Sequence, residues 1–127
     1  MDYREILFKL YTPEIGTIWK APNYIWTTGF AANKPPDEIH PSIIEKLDPS
    51  RTIAQLVPGT SKDYMKGSCV FKVKLNEKNR VTNFLLKLAM PYSIEVIKNF
   101  ERGWNGVLEL SEEQLGDFKR QIKFCRG

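Results

Sequence analysis

The chain has 127 residues, of which 42% are hydrophobic and 27% charged, and a net charge of +4. That length suits one domain with a core of its own, and the balance excludes a disordered or fibrous chain. No run approaches the roughly 18 apolar residues of a membrane span, and Asp2 and Glu5 do not suit a signal peptide. The mild positive charge favours an acidic partner, either nucleic acid or acidic polypeptide.

Cys69 and Cys125 are too few for a disulfide framework, and they lack metal-site spacing, with His40 the only histidine. They read as reduced thiols, which implies a cytoplasmic protein with no metal.

In chain order, Tyr3, Ile6, Leu7 and Leu10 recur at helical spacing before Thr12-Pro13, predicting a short N-terminal helix. Gly16–Trp19 predicts the first strand. From Ala21 to Glu38 the pattern dissolves into Pro, Asn and Gly around Tyr24, Trp26 and Phe30. A loop this long in a small domain is usually functional or mobile. Its aromatics either stack on unpaired bases or fold back onto the core. Ile39–Ile44 predicts a strand with proline near its start. Histidine ordinarily titrates near neutrality, so His40 is a candidate acid or base, although surface histidines without a role are common.

Asp48-Pro49-Ser50 predicts a turn. Ile53, Ala54, Leu56 and Val57 then predict a buried strand, which Pro58-Gly59 should break. Thr60, Ser61 and Lys62 would stand at its mouth. Two hydroxyls and an ammonium there suit a phosphate, and they equally suit a plain polar turn. Cys69, Phe71, Val73 and Leu75 alternate with Lys72 and Lys74, predicting a half-buried strand with a basic outer face. Six basic and two acidic side chains fall between Lys62 and Arg80, Lys66 among them. Such a patch can track phosphates or simply keep a strand soluble. Asn76–Arg80 predicts a hairpin turn and Val81–Leu88 the next strand. Met90-Pro91 should interrupt, Tyr92–Arg102 should contain a helical turn, and Val107–Leu110 should be a short strand. Ser111 and Gln114 form a capping box for a closing helix with an apolar stripe at Leu115, Phe118 and Ile122. Short antiparallel strands between two helices predict a small curled barrel, mainly β with α, in a single domain.

Several segments together resemble the MazF/PemK/Kid toxins. Gly16-Thr17-Ile18-Trp19 is similar to their opening strand, and His40-Pro41-Ser42-Ile43-Ile44 stands where they carry Arg-Pro and a β-branched run. Val57–Lys62 resembles their strand end with Thr and Ser. Lys87–Ile94 resembles the Kid-type segment Arg-x-Asp-Gln-Pro-Arg-Thr-Ile, and Arg102-Gly103 with the Glu112–Cys125 helix resembles their C-terminal end. The resemblance spans about residues 15–127 and leaves 1–14 as a helical extension. It implies an SH3-like barrel of the MazF/CcdB type and a cytoplasmic homodimer with a cognate antitoxin that carries an acidic segment. It also implies a hydrolase: a metal-independent, cofactor-free endoribonuclease. Such an enzyme cuts single-stranded RNA through its 2′-hydroxyl, leaving a 2′,3′-cyclic phosphate and a 5′-hydroxyl.

The sequence departs from that pattern where the chemistry is done. His40 replaces the arginine before proline, Lys87 replaces the Kid-type arginine, and Ala89 its aspartate; Thr60 is retained. The resulting catalytic candidates are His40, Thr60 and Lys87. Candidate RNA contacts are Trp26, Ser61, Lys62, Lys66, Lys72 and Lys74. A non-catalytic toxin of the CcdB type that binds DNA gyrase, and a plain SH3-like interaction module, are the alternatives that the missing arginine and aspartate leave open.

Overall fold

The computed structural model describes residues 3–4, 12–22, 25, 38–61, 69–76 and 81–126. Its strands are β1 (Ile18–Pro22), β2 (Ile39–Leu47), β3 (Ile53–Thr60), β4 (Val70–Val73), β5 (Thr82–Leu85), β6 (Met90–Ser93) and β7 (Glu101–Arg102). A 3₁₀ turn spans Leu86–Leu88, and the helices are α1 (Ile94–Ile97) and α2 (Glu112–Arg126). The seven strands lie in the order β4-β5-β3-β2-β1-β7, with β6 also beside β3, and all their pairings are antiparallel. The protein is therefore mainly β, an open antiparallel sheet with one main helix at its C-terminal end. Among the described residues no helix is long and apolar enough to cross a membrane.

The β2–β3 hairpin is built on Asp48. Its Oδ1 accepts the N–H of Thr52 at 2.7 Å and of Ile53 at 2.8 Å, and its Oδ2 accepts the Ser50 and Thr52 hydroxyls. An aspartate holding the backbone N–H groups ahead of it is a common way to close a turn. Arg51 takes the left-handed conformation this requires (φ 58°). The Ser50 hydroxyl first, and the Ile53 N–H next, hold the Asp48 carboxyl well below its ordinary 3.8.

One extra residue then sits in β2. Leu47 pairs with Ala54 and Lys46 with Gln55, but Ile44 pairs with Leu56. Glu45 is the residue left over, a β-bulge that changes the register by one. Beyond it, Ile43 faces Val57 and Ser42 faces Pro58, where the ladder ends. Pro58 has no N–H to donate, and neither does Pro41 next door, so continued pairing is weakened there.

Alternation along the strands divides the core in two. On one face Ile18, Ile43, Val57, Phe71, Val73, Phe84 and Leu86 pack under Phe118 of α2. The Phe118 ring lies 5.1 Å from that of Phe71. On the other face Trp19, Ala21, Ile44, Ala54 and Leu56 pack with Ile25 and with Ile94 and Ile97 of α1. The α2 cap is the expected box: Ser111 Oγ accepts the Gln114 N–H at 3.1 Å, and Gln114 Oε1 accepts the Ser111 N–H at 2.9 Å.

Several expectations are corrected. Pro58-Gly59 does not break β3, which runs through to Thr60. It marks the point where the edge of β3 changes partner from β6 to β5. Gly59 is required there because an added Cβ would stand 2.7 Å from Phe84 and 2.9 Å from Thr82. β1 starts at Ile18 rather than Gly16, whose φ of +86° is unsuited to a strand. The strand expected over Val81–Leu88 is only Thr82–Leu85, followed by the 3₁₀ turn. Met90-Pro91 is not an interruption but the start of β6 on β3, with Pro91 exposed at an edge that tolerates its missing N–H. Val107–Leu110 gives isolated bridges, Trp104 to Val107 and Thr17 to Glu109, rather than a strand.

The cysteines are not reduced thiols. Cys69, just before β4, and Cys125, in the last turn of α2, form a disulfide with their Cα atoms 4.8 Å apart. Their 56-residue separation gave no hint of this; the packing of α2 on β4 brings them together. Of the expected N-terminal helix, Tyr3 and Arg4 are helical and exposed, and the rest lies outside the described residues. So do residues 26–37 of the long loop and the 77–80 turn.

Two outcomes follow from this packing and this turn. Phe118→Ala should lower the unfolding free energy by about 3–5 kcal/mol, since a fully buried ring is lost and a cavity remains; urea denaturation measures it. The depressed Asp48 carboxyl stabilises the fold above the unfolded value of 3.8, and that contribution fades as pH falls through the lower folded value. Asp48→Asn should therefore be less stable than wild type at neutral pH, with the difference shrinking under strong acid.

Candidate functional site

The bulge decides which side chains meet at the end of the sheet. Cross-strand partners share a face. Ala21 pairs with His40, Thr60 with Asn83, and Lys72 with Asn83. Extended two residues past its last pair, Ser42–Pro58, the β2–β3 register would set His40 level with Thr60. Thr60, Asn83 and Lys72 form one row across β3, β5 and β4, and on that extension His40 stands at its β2 end, on the face shared with Trp19 and Ile44. The extension brings two of the three catalytic candidates to one end of the sheet, along with one candidate phosphate contact.

The row runs from outside to inside. Lys72, on β4, is exposed, whereas Asn83 is 2% exposed, Thr60 4% and His40 7%. Each of the four is engaged by a hydrogen-bonding, ring or electrostatic partner. Buried polar side chains are retained in a fold when they are so engaged. Ser61, exposed, follows Thr60 directly at the start of the β3–β4 connection. His40 opens β2, where the β1–β2 connection rejoins the sheet. Both long connections therefore begin or end at this row.

The next row along the same face is different in kind. Arg102 pairs with Trp19, and Trp19 with Ser42. The Arg102 guanidinium lies 5.7 Å from the Trp19 ring centroid, a cation–π arrangement. The indole Nε1 donates to Thr17 Oγ1 at 2.8 Å, and Arg102 Nε donates to the Leu108 carbonyl at 3.3 Å. Burial lowers the Arg102 pKa from its ordinary value, opposed by the charges of Glu109 and Glu14. Among the described residues, Arg102 Nη1, Ser42 Oγ and Glu45 Oε2, and in the polar row the His40 Nε2 and Asn83 Oδ1 atoms, are buried with no hydrogen-bond partner.

Lys87 does not join the row. It is exposed on the 3₁₀ turn, past the end of β5. Lys74 is exposed just beyond β4, on the side of the strand that Lys72 also occupies. Trp26, Lys62 and Lys66 lie outside the described residues. Among the described residues, no group of His, Cys, Asp and Glu is arranged to hold a metal ion.

Asn83 is the row member that sequence reasoning passed over. Its signal was present: one amide among apolar residues in Val81–Leu88, in a strand whose four residues are all buried. Arg102 carries no local sequence signal beyond its resemblance to the toxins' C-terminal end. Compared with known proteins, the chain matches no family model, and no curated protein matches it.

Asn83 is 2% exposed, so truncating it removes a buried side chain and the interaction it makes. Asn83→Ala should therefore cost about 1–3 kcal/mol of stability, and equilibrium denaturation gives the number.

Proposed function

We propose that this protein is a toxin of a toxin–antitoxin pair, a metal-independent endoribonuclease acting on single-stranded RNA. The observation that carries the reading is the row of Thr60, Asn83 and Lys72, which His40 joins when the β2–β3 register is extended past Ser42–Pro58. We further read the sheet as an SH3-like barrel of the MazF/CcdB type. In support, β3 is shared by ladders with β2, β6 and β5, and its partner changes from β6 to β5 about Pro58 and Gly59. The cytoplasmic setting, the homodimer and the acidic antitoxin belong to the same proposal and rest on the sequence resemblance.

The chemistry asks for a base, a hold on the phosphate and a route for the leaving group. In the proposed mechanism the RNA backbone approaches from the exposed Lys72 and Ser61 end. His40 takes the 2′-hydroxyl proton as O2′ attacks phosphorus. Thr60 and Asn83 donate hydrogen bonds to nonbridging oxygens, and Lys72 supplies positive charge. The P–O5′ bond breaks, the 5′-oxygen takes a proton from solvent, and the 2′,3′-cyclic phosphate remains. Lys72 supplies a point charge without the paired donors of an arginine, and His40 stands where similar toxins carry one, so slower cleavage than in those toxins is expected.

The burial of His40, Thr60 and Asn83 favours a second reading, in which the row is structural and the protein acts by binding alone. A gyrase-binding toxin and an interaction module both fall in that class.

Cleavage separates the two. Purified protein, incubated with a long mixed-sequence RNA in EDTA, should give discrete cuts with 2′,3′-cyclic phosphate ends. His40→Ala and Thr60→Ala, folded by circular dichroism, should each lower the rate by about 100-fold or more. Intact RNA with folded wild-type protein rejects the ribonuclease reading, and DNA supercoiling by gyrase is then the assay that distinguishes the binding classes.

A further inference from the structure

We propose that the Cys69–Cys125 bridge is a redox-operated latch on the C-terminal half of α2, opened by a dithiol reductant. Three ties meet at that end of the helix. Cys125 is bonded to Cys69. The neighbouring Arg126 forms an ion pair through Nη1 with Glu45, whose side chain is 3% exposed. Arg126 Nη2 also donates to the Leu86 carbonyl at 2.6 Å, and the Leu86 N–H donates to the Cys69 carbonyl at 3.0 Å. The helix end, the start of β4, the turn after β5 and the β2 bulge are thus held at one point.

The first half of α2 does not need that point. It has its own capping box at Ser111 and Gln114, and Phe118 is fully buried against Phe71. Past Phe118 the apolar hold weakens. Ile122 and Cys125 are only partly buried, Lys119, Arg120 and Lys123 are exposed, and Phe124 is 74% exposed. Local stability follows the density of buried contacts, so these last turns are where the helix can open by itself. Neither cysteine belongs to the β1–β2–β3 ladders, so cutting the bridge leaves those pairings in place.

Both cysteines are half-buried, within reach of a small reductant. One thiolate of the dithiol attacks a bridge sulfur and forms a mixed disulfide, releasing the other cysteine as a thiol. The second thiolate then displaces the remaining cysteine. Two electrons pass to the protein, which ends with Cys69 and Cys125 as thiols, and the reductant ends as its own disulfide. Lys72 stands three residues beyond Cys69, so the latch also braces the edge strand of the polar row.

The test is hydrogen exchange by mass spectrometry on the full chain, oxidised and after dithiothreitol. On reduction, amides in 119–126 and 69–73 should exchange about tenfold faster or more, with β1, β2 and β3 unchanged. Cys125→Ser should behave in the same way without reductant. Equal exchange in both states overturns the proposal. So does a loss of protection everywhere at once, which would make the bridge a staple of the whole fold. A second variant probes the coupling directly. Contacts that favour the closed latch also favour the disulfide, because linkage is reciprocal. Glu45→Gln should therefore be half reduced at a several-fold lower ratio of reduced to oxidised dithiol than wild type, and an unchanged midpoint contradicts the latch.

Discussion

The polar end of the sheet depends on the short distance between the Asp48 turn and the Glu45 bulge. The turn fixes the first pairs of the hairpin by tying Thr52 and Ile53 to one carboxylate. The bulge then moves the register by one residue, so that Ser42 meets Pro58. A one-residue slip in a strand exchanges its two faces. Without the bulge, Ile43 would turn away from the core under α2 while Val57 on β3 stayed in it, and the extended register would no longer set His40 level with Thr60. The same extra residue carries the carboxylate that Arg126 holds at the far end of α2. Register, core and helix anchoring therefore meet at Glu45.

β3 is the strand on which the two halves of the sheet turn. It keeps β2 on one side as far as Pro58, and on the other side it exchanges β6 for β5. Proline and glycine are both suited to that exchange. Pro58 withdraws a donor where the β2 ladder ends, and Gly59 lets Phe84 approach at a distance no side chain would allow. Buried polar side chains stand beside that exchange of partners. They need their own partners in place to be tolerated, which makes them both a structural commitment and a candidate site.

The regular parts of the fold were legible in the sequence because they follow simple periods. The alternation of Phe71, Lys72, Val73 and Lys74 gave β4, and Ser111 with Gln114 gave the start of α2. The apolar run from Ile53 gave β3. The rest depends on tertiary contacts that no local pattern records. Met90–Ser93 is a strand only because β3 offers an edge beside it, and the disulfide exists only because α2 packs on β4. The site was half legible. His40 and Thr60 were singled out by residue type and by resemblance to known toxins. Asn83, Glu45 and Arg102 gain their meaning from register and packing, although a lone amide or carboxylate in an apolar run was a signal that could have been followed.

Interstrand nuclear Overhauser contacts between β2 and β3 read the change of register at Glu45 directly. They should place Lys46 opposite Gln55 on the turn side of the bulge and Ile44 opposite Leu56 and Ser42 opposite Pro58 beyond it, with His40 contacts to Thr60 if the register runs on. A single uninterrupted register, with Ile44 opposite Val57 and His40 level with Ser61, would contradict that change and would take His40 out of the polar row.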